Sequence, residues 1–150
     1  MTKVYENYSD QEYQLYEIVG WAMLGLIDTG NVDRPNSFAG FLYDLFKDVR
    51  GGDLAGEPGW SLERIDLNEG FRLAHPYISQ QGLDALDELR ERGDPVAFWM
   101  DIQDQGDNVI DVETFWKVIK DSFGEFVMNN PGMKKELDLI SFEFPQLRNI

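Results

Sequence analysis

The residues best suited to chemistry or recognition are carboxylates that cluster between Arg92 and Lys117. The acidic residues between Arg92 and Lys117, with no basic residue among them, are Asp94, Asp101, Asp104, Asp107, Asp111 and Glu113. Their mutual repulsion is not relieved within the segment, so positive charge must be supplied from outside it. A metal cation or a basic macromolecule could supply that charge. The segment therefore predicts the recognition of a cation, and both alternatives remain open.

Aromatic residues around these carboxylates favour the macromolecular partner. Trp99, Phe115 and Trp116 flank the acidic turn, and aromatic anchors within a charged rim are typical of protein-binding hot spots. Phe115 fits the apolar stripe of the following helix, whereas Trp116 lies off that stripe, so we expect one of the two tryptophans to be exposed. The predicted partner-binding residues are Asp101, Asp104, Asp107, Asp111, Glu113, Trp99 and Trp116.

The metal alternative depends on residues 101–113. This stretch is similar to the exit half of an EF-hand calcium loop through Ile110, Asp111, Glu113, Phe115 and Ile119. The resemblance implies a calcium-responsive module that uses this turn. The other positions depart from the motif: Gln103 stands at the first ligand, Asn108 at the glycine and Thr114 at the bidentate glutamate. No residue is therefore assigned as a metal ligand.

Catalytic residue combinations are not apparent in the sequence. Cysteine is absent, and the single histidine, His75, precedes Pro76, which predicts extended backbone. A partly buried structural role for His75 is favoured over a role as general base. The glycine-rich stretch at 51–59 lacks the Lys-Ser/Thr of a phosphate-binding loop. We predict a protein that is not an enzyme, with no catalytic residues and no cofactor.

Composition narrows the class of partner. The chain of 150 residues has 43% hydrophobic residues and a net charge of −15, which fits a single folded domain over residues 1–150. Such a charge repels phosphate backbones and anionic lipid, so we expect no direct nucleic-acid or membrane binding. The sequence favours an acidic interaction protein that neutralises a basic protein partner, such as an inhibitor, an immunity protein or a nucleic-acid mimic. Charge that serves only solubility is the alternative.

Local signals predict a mainly α fold of about six helices. Ser9 begins a capping box before a central apolar helix, in which Gly20 would allow a neighbouring helix to approach closely. That helix is expected to end near Thr29-Gly30. A second helix is predicted from Asn36 or Ser37 to Gly51-Gly52, and a third from Ser79 to Gly93.

The second half of the chain continues this pattern. Asp94-Pro95 predicts the start of a short fourth helix through Ile102, Asp111 the cap of a fifth, and Asn130-Pro131 the start of a sixth. Residues 62–74 fit either irregular helix or one short β-hairpin, and the hairpin is favoured. Without cysteine, and without a secretory apolar segment at the start of the chain, the cytoplasm is the expected compartment.

Overall fold

The structure, a computed structural model, describes residues 3–28, 37–46, 53–56 and 59–148. The helices in these ranges are α1 (Asp10–Asp28), α2 (Ser37–Phe46), α3 (Phe71–Ala74), α4 (Gln80–Arg92), α5 (Val112–Asn129) and α6 (Lys134–Ile140). The strands are β1 (Asp53–Gly56), β2 (Trp60–Asp66), β3 (Val96–Ile102) and β4 (Gly106–Ile110). The predicted helix ends at Thr29-Gly30 and Gly51-Gly52 lie outside the described residues. No helix in the described ranges has the length and apolar character needed to cross a bilayer.

The four strands form an antiparallel sheet in the order β1-β2-β3-β4, so the predicted mainly α bundle is wrong and the fold is α+β. The largest error concerns β3, for which the sequence predicted a short helix after Asp94-Pro95. Both faces of β3 are covered, and a strand buried on both sides has a continuous apolar run instead of an alternating one. Its sequence, VAFWMDI, therefore does not distinguish a strand from a buried helix.

The predicted hairpin within residues 62–74 is also wrong, although its first half is a strand. β2 pairs with β1 and β3, with Leu62 opposite both Leu54 and Met100. Residues 71–74 form α3 instead of a return strand. At the intervening turn, the backbone N–H of Gly70 donates to the side chain of Asn68. After this turn the chain leaves the sheet. β2 therefore pairs with β1, which directly precedes it, and with β3, which is distant in sequence.

Two hydrophobic cores lie on opposite faces of the sheet. On the first face, Phe98, Met100 and Ile110 pack with the apolar residues of α1, α2, α5 and α6. On the second face, Ala97 and Trp99 pack with Phe71 of α3 and Leu86 of α4. Because neighbouring residues of a strand point to opposite faces, β3 contributes to both cores. The sheet is thus a central layer between two sets of helices.

Several predicted helix caps are confirmed. The Ser9 hydroxyl accepts from the backbone N–H of Glu12 at 3.1 Å, and the Glu12 carboxylate accepts from that of Ser9 at 2.9 Å. Ser79 accepts from the backbone N–H of Gly82 before α4, and Gly93 ends α4 with φ of 100°. Asp111 caps α5 by accepting from the backbone N–H of Thr114 at 2.8 Å. Caps were predictable because each depends on residues only a few positions apart.

The start of α2 is capped from a distant part of the chain. The carboxylate of Glu136, on α6, is buried and accepts a hydrogen bond from the backbone N–H of Phe38. Burial raises the pKa of Glu136 above its ordinary value, although the backbone donors of Phe38 and Ala39 oppose that shift. The first turn of a helix has backbone N–H groups without intrahelical partners, so Glu136 joins α6 to α2 by satisfying one of them.

Replacing Glu136 with Ala should lower the free energy of unfolding by about 1–3 kcal/mol, because a buried backbone donor would lose its acceptor. Glu136→Gln keeps an acceptor oxygen and should cost less. Urea unfolding followed by circular dichroism measures both effects. Glu91→Ala, on the exposed face of α4, is the control and should be neutral. An E136A variant as stable as E91A would contradict the capping role.

Candidate functional site

The hairpin of β3 and β4 brings three of the predicted carboxylates together. Asp101 pairs directly with Asp107 across the two strands, on the sheet face that carries Trp99. Asp104 lies in the connecting turn with φ of 67°, in the left-handed region that Asp and Asn tolerate better than most residues. We call Asp101, Asp104 and Asp107 the acidic hairpin. It was predicted as an acidic turn between two helices, whereas the structure places it at the end of a sheet.

The sheet row that contains Asp101 is made of small or polar residues. Reading across the strands, Ala55 pairs with Ser61, Ser61 with Asp101 and Asp101 with Asp107. Ala55 is exposed, and the side chains of Ser61 and Asp101 are partly exposed. The helices α3 and α4 cover the neighbouring rows instead. The side chain of Asp101 therefore lies on a part of the sheet surface that is open to solvent.

Asp107 is held in place by three donors from the protein. Its Oδ2 accepts from the Trp99 indole N–H at 2.9 Å and from the Ser79 backbone N–H at 2.9 Å, and its Oδ1 accepts from the Ser79 hydroxyl at 2.6 Å. Burial raises the pKa of Asp107, but these hydrogen bonds outweigh burial and lower the pKa below its ordinary value. Asp107 thus joins the hairpin to the start of α4.

The pKa of Asp101 is shifted in the opposite direction. Burial and the nearby charge of Asp107 both raise its pKa above the ordinary value. Within the described part of the chain, no Lys or Arg forms an ion pair with Asp101. Ionised Asp101 therefore costs folding free energy that an external cation could offset.

The remaining predicted carboxylates lie at the far end of β4. Asp111 accepts from Thr114 as a helix cap and pairs with Arg92 at 3.0 Å. Burial raises the pKa of Asp111, but the bonds from Thr114 and Arg92 outweigh burial and lower it. Glu113 is exposed in the first turn of α5. Arg92 supplies positive charge to Asp111 from α4, so repulsion in the segment is relieved at this end and not at the acidic hairpin.

Both tryptophans are buried, so the expected exposure of one of them is wrong. Trp99 is 8% exposed in the core beneath α4, and Trp116 is 7% exposed in the core on the other sheet face. The ring of Trp116 stacks on Phe46 with centroids 5.5 Å apart. The buried face of α5 is wide enough to include positions 115 and 116 together, which the narrow stripe taken from the sequence omitted. Their place in a partner-binding site remains a prediction.

A polar cluster beside Trp99 was not found from the sequence. His75 Nδ1 lies 3.2 Å from Glu63 Oε1 and 2.8 Å from the Tyr77 hydroxyl, which also donates to Glu63. The Tyr77 ring contacts the Trp99 ring edge-on, with centroids 5.2 Å apart. The His75 side chain is 17% exposed, as expected of a partly buried structural histidine. Glu63 lies opposite Trp99 across β2 and β3, and this contact between distant segments is not visible from sequence spacing.

The backbone of residues 101–113 does not match that of an EF-hand calcium loop. The residues compared with that loop include β4, whose backbone pairs with β3, and they follow a strand where an EF-hand has a helix. Asp107 and Asp111 are engaged by different partners at opposite ends of β4. In the part of the chain that the structure describes, no group of three or more His, Asp or Glu side chains could hold a metal ion.

No protein-family model, curated protein or solved structure matches this chain.

Replacing Asp107 with Asn should destabilise the protein by about 1–2 kcal/mol at pH 7, because one amide oxygen cannot accept from three donors. The pKa of Asp107 is lowered from 3.8. Its stabilisation is therefore present above about pH 4 and is lost as the pH falls through the lower folded-state pKa. Urea unfolding at pH 7 and pH 3 should show the difference between wild type and D107N shrinking in acid. Asp104→Asn is the matched control in the same hairpin, and a pH-independent cost of D107N would contradict this account.

Proposed function

We propose that this protein is a small acidic interaction protein that binds and neutralises a positively charged macromolecule, in the manner of an inhibitor, an immunity protein or a nucleic-acid mimic. The observation that carries the proposal is Asp101, an accessible carboxylate whose pKa is raised by burial and by Asp107. A basic group from a partner would relieve both effects, because opposite charge favours the ionised form. Binding of a basic group would therefore offset the repulsion between Asp101 and Asp107 that is present in the free protein.

The contact surface is centred on the acidic hairpin. Asp104 is exposed in the turn that follows β3, and Asp101 and Asp104 both lie at this end of the sheet. Asp107 and Trp99 hold the hairpin against α4, so they position the surface and do not need to touch the partner. A fixed backbone lowers the ordering cost of binding. Glu113 belongs to the wider acidic field, whereas Asp111 is already paired with Arg92.

The overall charge defines the class of partner. A net charge of −15 opposes direct binding to nucleic acid or anionic membrane and accelerates encounter with a basic protein. Binding of a divalent cation at residues 101–113 is the second candidate function. It has less support, because its carboxylates face different partners at the two ends of β4.

Neutralising Asp101 and Asp104 together should slow association with a basic macromolecule by about threefold to tenfold at low ionic strength. Asn is the suitable replacement at position 104, because it tolerates the positive φ there whereas a larger side chain would be strained. Stopped-flow mixing with synthetic poly-L-arginine measures the rate. A double variant Glu88→Gln and Glu91→Gln on α4 has the same net charge and should retain most of the wild-type rate.

Salt dependence completes the test. The difference between the two double variants should disappear at about 0.5 M salt, where exposed charges are screened. Equal slowing by both variants would show that the whole surface contributes and that the acidic hairpin is not the contact. A wild-type rate that is insensitive to salt would contradict charge-led binding altogether. The same variants can then be applied to a basic protein retained from cell extract at low salt.

A further inference from the structure

β4 is an end strand of the sheet, and the backbone bonds around β3 show how its free edge is arranged. Just after β3, the backbone N–H of Gln103 donates to Gly59, which precedes β2, at 2.8 Å. Just before β3, the C=O of Pro95 accepts from Leu67, which follows β2, at 2.9 Å. Since backbone groups alternate in direction along an antiparallel strand, the odd-numbered residues of β3 bond to β2 and the even-numbered ones bond to β4.

The register between β3 and β4 then shows which groups of β4 point outwards. Met100 lies opposite Asn108, so Asn108 and, two residues later, Ile110 bond to β3. Val109 lies opposite Trp99, whose backbone groups are directed to β2. The N–H and C=O of Val109 therefore point away from the sheet, and no backbone hydrogen bond from elsewhere in the described residues satisfies them.

A cleft of about 400 Å³ lies along this edge. It is lined by Val109 and Ile110 of β4, and its other walls include Gln11 of α1 and Leu89 of α4. Val109 packs in the core under α4, whereas Ile110 packs in the core on the opposite sheet face. A space that contacts both residues must therefore lie at the edge of the strand, which is where an added strand would lie, about 4.8 Å from β4.

A second cleft, of about 530 Å³, continues the first towards the acidic hairpin. Gln11 lines both clefts, and the second one reaches Gln105 in the turn of the hairpin. Asp10 and Glu17 line this second cleft, and neither forms an ion pair within the described residues. No Lys or Arg of the described chain lines either cleft. We call the two clefts together the β4 groove.

We infer that the β4 groove binds an extended basic segment of the partner, which pairs with β4 as an additional strand of the sheet. The inference rests on the proposed function and adds a binding mode to it. Backbone bonds to Val109 and, by the same alternation, to the C=O of Asp107 would hold the segment, as in other recognition by strand addition. The acidic groove favours lysine and arginine side chains. It disfavours a second copy of this chain, because two molecules with a net charge of −15 repel each other.

The test uses as its probe an acetylated and amidated heptapeptide of alternating lysine and valine, which should bind with a dissociation constant in about the millimolar range or below. The readout is water–amide exchange on the millisecond timescale in ¹⁵N NMR spectra, which detects amides exposed in the folded protein. At about ten times the dissociation constant, exchange at Val109 should fall about tenfold, because only the free protein exposes this N–H. Asn108 and Ile110 already bond to β3 and should show no exchange in either state.

Two results of this measurement would overturn the inference. Exchange at Val109 that does not fall with the peptide would show that the edge is not the binding site. Exchange at Val109 that falls with protein concentration alone, without peptide, would show that a second copy of the chain occupies the edge.

Backbone methylation of the peptide tests strand pairing directly. One version is N-methylated at its odd positions and another at its even positions. Only one of these sets of N–H groups faces β4 in an extended strand, so one version should bind at least about tenfold more weakly and the other within about threefold of the parent. Equal losses in both versions, or no loss in either, would overturn the pairing. A heptapeptide with glutamate in place of lysine should not bind, and equal binding of it would overturn the basic occupant.

A matched pair of variants localises the contact. Val109→Pro removes the outward N–H while the bonds of β4 to β3 remain, so it should weaken peptide binding at least about tenfold. Val109→Ala shortens the same side chain but keeps the N–H, and it should bind within about threefold of wild type. Equal binding by V109P and V109A would contradict the role of this edge. If V109P fails to fold, the methylated peptides still test the pairing on the wild-type protein.

The outcomes separate this inference from the proposed function. Loss of exchange at Val109 with the lysine peptide, together with poly-L-arginine association that ignores salt, would support the β4 groove and overturn the charge-led function. Salt-dependent association that requires Asp101 and Asp104, with no effect of the lysine peptide at Val109, would overturn the groove and support the function.

Discussion

The burial of β3 on both faces is the constraint on which the rest of the structure depends. Phe98 stacks on Phe115 of α5 with ring centroids 3.8 Å apart, while the next residue, Trp99, points to the other face and donates to Asp107. A strand enclosed in this way needs a partner on each side for its backbone groups, and β2 and β4 provide them. The two cores and the acidic hairpin are therefore positioned by a single strand. Asp101, near the end of β3, is the one charged residue that this strand carries.

What could be predicted from the sequence was local. The caps at Ser9, Ser79 and Asp111 depend on side chains that reach three residues along the chain, and all three are present. The sheet depends instead on the pairing of β2 with β3, in which partner residues are 30 to 42 positions apart, and no spacing rule in one sequence reveals such a pair. The same holds for Glu136, whose contact with Phe38 joins residues 98 positions apart. Because β3 was predicted as a helix, the predicted fold lacked this sheet.

The candidate site was predicted in part, for a related physical reason. Proximity in sequence correctly placed Asp101, Asp104 and Asp107 together, because a hairpin is a local structure. Proximity in sequence could not show which carboxylates bind donors of the protein itself and which are available to a partner. That distinction depends on Ser79 and Arg92, both from the α4 region, which bind Asp107 and Asp111 respectively. Composition does not separate the acidic residues from one another. In the structure, some acidic side chains stabilise the fold and others face solvent.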